Sequence, residues 1–139
     1  MSSQRTLVDE ALQIIGFLGL PRAQQNERSA LCLLALLNLT PDKRWADAEA
    51  PLIGITPIMH WIQKHYGRDY APNTRETFRR QTMHQFMAAG IVLYNPDNPG
   101  RSVNSPKACY QIESTTLSLL HTFGTPLWAN KLGGYLVNR

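Results

Sequence analysis

Sulfur, acidic charge and long apolar runs are all scarce in this chain, and each scarcity excludes something. Cys32 and Cys109 are the only cysteines in 139 residues, one in a leucine-rich run and one in an expected strand. Neither has a second cysteine nearby, so their spacing supports neither a zinc site nor a disulfide framework, and both read as reduced thiols. No apolar run approaches the roughly 18 residues that a membrane-spanning helix requires. The opening Met1-Ser-Ser-Gln-Arg-Thr6 lacks the apolar stretch of a signal peptide, so a cytoplasmic location is expected. Gly54, Gly67 and Gly90 are isolated turn or cap glycines and form no phosphate loop. His60, His65, His84 and His121 lack the spacing of metal ligands, and no nucleophile elbow points to serine chemistry.

Ten acidic residues stand against 14 Lys and Arg, a net charge of +4, which is compatible with a polyanionic partner without requiring one. Hydrophobic residues make up 43%, enough to rule against disorder, and the length suits a single domain with a real core.

The apolar spacing predicts helices. Leu7, Val8, Ala11, Leu12, Ile15 and Leu18 mark one over 6–18, capped by Thr6 with Asp9 and ended by Gly19-Leu20-Pro21. A second, over 26–38, is apolar on all sides from Ser29 to Leu37, which implies burial between other helices. Residues 41–55 read as a connection. Thr56 is expected to cap a third helix with Pro57 at its first position, Ile58, Trp61 (or Met59) and Ile62 inward, and Gly67 beyond its end. Residues 113–139 carry two short helical patterns around Gly124-Thr-Pro126. Trp45, Trp61 and Trp128 read as core or interface residues rather than base-stacking platforms.

The stretch 73–112 says most about function. Asn73 with Glu76 marks the start of a helix that runs to Gly90 and leads into a strand, Ile91–Tyr94. Phe78, Thr82, Phe86 and Ala89 form its inner stripe. Asn73, Thr77, Arg80 and His84 form the opposite one, with Thr74 and Gln81 beside it. Amide, hydroxyl, guanidinium and imidazole groups are those that meet base edges and phosphates. The same face also reads as a solvated surface, since Glu76 and Arg80 form a favoured i,i+4 pair. Arg75 and Arg79 are expected nearer the inner stripe, as snorkelling stems or edge phosphate contacts. A turn-rich loop, 95–106, then carries Arg101, Asn104 and Ser105 ahead of Lys107 and a returning strand, Ala108–Ile112. Helix, strand, basic loop and strand are the ordered parts of a winged helix, in which the helix enters a DNA groove and the extended loop follows the backbone. The turn before Asn73 is longer than that of most helix-turn-helix pairs.

Several blocks resemble a known family. Asn38-Leu-Thr-Pro-Asp-Lys43, Pro51-Leu-Ile-Gly-Ile-Thr-Pro57, Tyr70-Ala-Pro-Asn-Thr-Arg-Glu-Thr77, Arg79-Arg-Gln-Thr82, His84-Gln-Phe86 and Asn104-Ser-Pro-Lys-Ala108 are similar to the N-terminal helix-turn-helix region of BsuBI/PstI type II restriction endonucleases. The resemblance covers nearly the whole chain. It implies a DNA-recognition part of an enzyme of bacterial restriction–modification that cuts CTGCAG with a separate, magnesium-dependent nuclease domain. Such nucleases need Pro-Asp followed later by Asp or Glu, any residue, then Lys, to hold a metal that activates water. Pro41-Asp42 and Pro96-Asp97 are the only Pro-Asp pairs, and no Asp or Glu has Lys two positions later.

The expectation is therefore a mainly α, winged helix-turn-helix fold with a two-stranded wing and extra flanking helices. Residues 1–50 give helical support, 51–112 the winged helix, and 113–139 helices leading toward a nuclease domain absent here. The expected partner is double-stranded DNA, met by Asn73, Thr74, Thr77, Arg80, Gln81, His84, Arg101, Asn104 and Lys107. No catalytic or metal-binding residue is expected in this chain, and magnesium belongs to the missing domain. A palindromic target implies a homodimer in the full enzyme. A stand-alone transcriptional regulator and a protein-interaction scaffold are the alternatives.

Overall fold

Local chemistry sets most helix ends. The structure, a computed structural model, describes residues 3–138, with side chains from residue 6 onward. Helix α1, Ser3–Phe17, buries Leu7, Ala11, Ile14 and Ile15 on one face. It begins by Ser3, so Thr6 and Asp9 lie in its body rather than capping it. Gly19 takes φ +83°, and the Leu20 N–H then reaches the Ile15 carbonyl at 3.3 Å, closing the helix with a left-handed cap.

Helix α2, Glu27–Leu36, starts where the Asn26 side chain accepts the Ser29 N–H at 2.9 Å. Every residue from Ser29 to Leu36 is buried, as its all-round apolar character requires. It packs against α1, against α3 (Ile55–Tyr66), against the helical turn Phe78–Met83 and against the strand Tyr110–Ile112. Helix α3 is capped by Gly54 rather than Thr56, which moves Pro57 to the third helical position. A proline is tolerated there because the first-turn N–H groups have no intrahelical partner. Ile58 and Ile62 are fully buried, Trp61 is half-buried, and Gly67 closes the helix at φ +70°.

Helix α4 is continuous but not uniform: Thr74–Thr77 passes through a six-residue π-helical turn, Phe78–Met83, into His84–Ala88. Phe78, Thr82, Met83 and Phe86 are fully buried. Removing each phenylalanine from water is worth about 1.5–3 kcal/mol, so this face holds the helix on the core. The expected Asn73 cap does not form. Asn73 has φ −70° and ψ −14°, and its side chain makes no capping bond.

Strands β1 (Val92–Tyr94) and β2 (Tyr110–Ile112) pair antiparallel, with Val92 opposite Ile112 and Tyr94 opposite Tyr110. Ile53, just before α3, adds a bridge to Tyr110 through bonds of 2.8 and 3.0 Å. Gly54 follows where an added Cβ would lie 3.0 Å from the Ala108 carbonyl. Beyond the sheet, Glu113 caps α5 (Ser114–Leu120), and α6 (Trp128–Val137) packs on α5. The Trp128 ring meets Phe17 and Phe123 edge-on. The fold is mainly α, a winged helix-turn-helix with a small two-stranded wing and flanking helices. Among the described residues no helix is long and apolar enough to cross a membrane.

Candidate nucleic-acid interface

The helix-turn-helix pair is α3 and α4, joined by residues 67–73. Two hollows run between α4 and the wing, the first of them reaching the start of α3. One, of about 530 Å³, is lined by Thr56, Arg75, Glu76 and Arg79 on one side and by Val103 to Lys107 on the other. The second, of about 350 Å³, continues along α4 past Arg79, Arg80, His84 and Met87. Tyr94, Val103 and Tyr110 border both. The wing-facing side of α4 is therefore Arg75, Arg79, Arg80 and His84, all exposed.

That alignment differs from the sequence expectation in two ways. Arg75 and Arg79 lie not at the core edge but in the cleft, where the Arg75 Nε donates to Thr56 Oγ1 at 3.1 Å. Gln81 leans away from it, accepting from the Arg28 guanidinium of α2 at 3.4 Å. The same Arg28 donates through Nε to buried Thr82 at 3.0 Å, tying α4 to the start of α2. Asn73 is exposed, and Thr74 and Thr77 are half-buried.

Glu76 organises the arginines. Its carboxylate accepts from Arg79 Nε at 3.3 Å and Nη2 at 3.1 Å, and from Arg80 Nε at 2.9 Å. These bonds, first from Arg79 and then from Arg80, hold the Glu76 carboxyl below its usual range. Arg80 nevertheless stays 74% exposed, so its guanidinium end faces solvent.

The wing is not the extended strap that its composition suggests. It folds as successive tight turns, with bonds from Asn98 N to Asn95 O, Arg101 N to Asn98 O, and Ser105 N to Ser102 O, each 3.0 Å. Asn95 opens it at φ +49°, 1% exposed, and its Oδ1 accepts both the Cys109 N–H (2.9 Å) and Arg101 Nη1 (3.1 Å). Arg101, expected as a loop cation facing outward, is turned inward. It binds Asp97 with both terminal nitrogens at 3.0 and 2.8 Å, and its side chain is only 12% exposed. That grip holds the Asp97 carboxyl down to about 2. Burial, and then the Asp97 carboxylate, push the neighbouring Cys109 thiol up. Asn104 and Lys107 remain exposed beside the cleft.

Both Pro-Asp pairs are engaged within turns, Asp42 by the Thr40 hydroxyl and Asp97 by Arg101. Among the described residues no three His, Cys, Asp or Glu side chains come together to hold a metal ion.

Over residues 5–139 the sequence matches the family described as the BsuBI/PstI restriction endonuclease HTH domain. The chain belongs to this family. It is 62% identical over 132 residues to the type II restriction enzyme BsuBI of Bacillus subtilis, covering 95% of this chain and 42% of that enzyme. Against the type II restriction enzyme AplI of Arthrospira platensis the identity is 37%, over 95% of this chain and 40% of the enzyme. The solved SdaI restriction endonuclease superposes with a TM-score of 0.88 at 32% identity, covering 94% of this chain and 41% of that one. The chain thus spans about two fifths of the length of the relatives it matches.

Three features of this HTH domain escaped the sequence reading: the Arg28–Thr82 tie, the Ile53 bridge and the buried role of Asn95. Only the last left a signal, because Asn is among the few residues that tolerate left-handed backbone.

Proposed function

We propose that this chain binds double-stranded DNA as the sequence-reading part of a type II restriction endonuclease, with CTGCAG as its target. Helix α4 lies in the major groove and the wing follows the flanking backbone. The carrying observation is the convergence of Arg75, Arg79, Arg80 and Lys107 on the cleft between α4 and the wing. Arg80 and His84 face the bases, while Asn73, Thr74, Thr77 and Gln81 take the other flank of the helix. Lys107 and Asn104 meet phosphates, and Arg101 contributes by holding the wing in shape. Phosphate contacts set register while base contacts set sequence, so the two groups have separable effects.

A palindromic target calls for a two-fold dimer, each protomer reading one half-site. Cleavage, and the magnesium ion it requires, belong to the portion of the relatives that this chain does not span. A salt-titrated gel shift with CTGCAG and scrambled duplexes, with and without magnesium, tests the reading. Tighter binding to CTGCAG, weakened steeply by salt, is the expected result. Arg80→Ala lowers that affinity and relaxes the preference by about 1–3 kcal/mol. Unchanged affinity of Arg80→Ala for the CTGCAG duplex would refute the assignment.

A further inference from the structure

An arginine offers five donors in one plane: a single Nε–H and two N–H bonds on each terminal nitrogen. A carboxylate can grip the Nε side of that plane and leave the far end free. The far end presents two parallel N–H bonds, which match the O6 and N7 acceptors that guanine exposes in the major groove. Glu76 has this relation to two arginines at once. Arg79 spends Nε and one Nη2 hydrogen on it, at 3.3 and 3.1 Å, while Arg80 spends Nε alone, at 2.9 Å. Among the described residues neither end is occupied by a hydrogen bond to another residue, and the side chains are 44% and 74% exposed at the cleft. Spacings of three and four residues place both arginines over the same carboxylate on one helix face.

We propose that Glu76 is a positioning residue for base recognition, gripping Arg79 and Arg80 by their Nε sides so that two guanidinium ends are aimed at guanine O6 and N7. The proposal rests on the DNA-binding reading given above. Without Glu76 these long side chains sample many rotamers, and each must be ordered at the moment of binding. A carboxylate in the cleft also repels phosphate, which weakens attachment to any duplex. The repulsion is offset only where the aimed ends find their acceptors. Glu76 thus sharpens discrimination at the expense of general affinity.

The test compares the 139-residue chain with Glu76→Gln in gel shifts against CTGCAG and scrambled duplexes at fixed salt, repeated in an Arg79→Ala/Arg80→Ala background. The pair is exposed, so Glu76→Gln leaves the fold intact, as a thermal melt by circular dichroism checks. Expected is a loss of about tenfold in the ratio of specific to scrambled affinity, with scrambled binding slightly tighter. In the double-alanine background Glu76→Gln changes both duplexes by one factor. If Glu76→Gln strengthens both duplexes equally in the otherwise native chain, Glu76 is only a repelling charge and the proposal fails. If the native chain itself does not discriminate, the DNA-reading proposal fails first and this one falls with it.

Discussion

Replacing Asn95 separates backbone strain from hydrogen bonding at the root of the wing. The residue is 1% exposed at φ +49°, and its Oδ1 accepts from the Cys109 N–H and from Arg101. Asn95→Ala leaves the buried Cys109 N–H without an acceptor, a loss of about 1–3 kcal/mol. It also puts a residue without a local polar partner into left-handed backbone, which costs about 1 kcal/mol more. Together these amount to about 3 kcal/mol, and at about 3 °C per kcal/mol for a chain of this size the melting temperature falls by about 9 °C. Asn95→Gly loses the same bonds but removes the strain, and recovers about 1 kcal/mol relative to alanine. Asn95→Asp keeps the acceptor and stays within about 1 kcal/mol of the native chain. Thermal melting by circular dichroism gives the three stabilities, and amide hydrogen exchange at Cys109 shows whether the loss is local. An Asn95→Gly variant as stable as the native chain would show that the side-chain bonds contribute nothing. Equal loss in Ala and Gly would remove strain from the account.

Three other outcomes are expected. Lys107→Ala weakens binding to CTGCAG and scrambled duplexes by the same factor, and flattens the slope of log K against log salt by about 0.9. At Glu113, burial raises the carboxyl pKa, but the backbone and hydroxyl donors of Thr115 and Thr116 outweigh it and hold the group at about 2. A carboxyl depressed on folding stabilises fully above its unfolded value of about 4.5 and loses that contribution as pH falls toward about 2. Melting curves of the native chain and Glu113→Gln should therefore converge as pH drops through that window, and a constant gap between them would contradict the cap. Phe86→Ala empties a fully buried site and costs about 3–5 kcal/mol in denaturant unfolding, whereas a loss under about 1 kcal/mol would mean that α4 is not held by this face.

The apolar rhythm of the chain was enough to place α1, α2, α3 and the two tail helices within a few residues, because a buried stripe imposes its period on any sequence that forms it. Gly19 and Gly67 ended their helices as expected, since left-handed caps have few alternatives to glycine. Helix starts were less legible. Thr6, Thr56 and Asn73 are all good capping residues, yet none caps here, because a cap is decided by where the chain enters the helix, not by residue type alone.

What the sequence determined by itself was local: which segments coil, which face of each is apolar, and that helix, strand, turn-rich loop and strand follow in winged-helix order. The resemblance of its motif blocks added the family. What only the tertiary structure decided was which cations point the same way. The π turn within α4, the tie from Arg28 to Thr82 and the folding of the wing onto Asn95 select Arg75, Arg79, Arg80 and Lys107 for the cleft and turn Arg101 inward. Those choices depend on bonds between residues as far as 54 positions apart in the chain. A helical wheel carries only the spacing along one helix, so no reading of α4 alone could have made them.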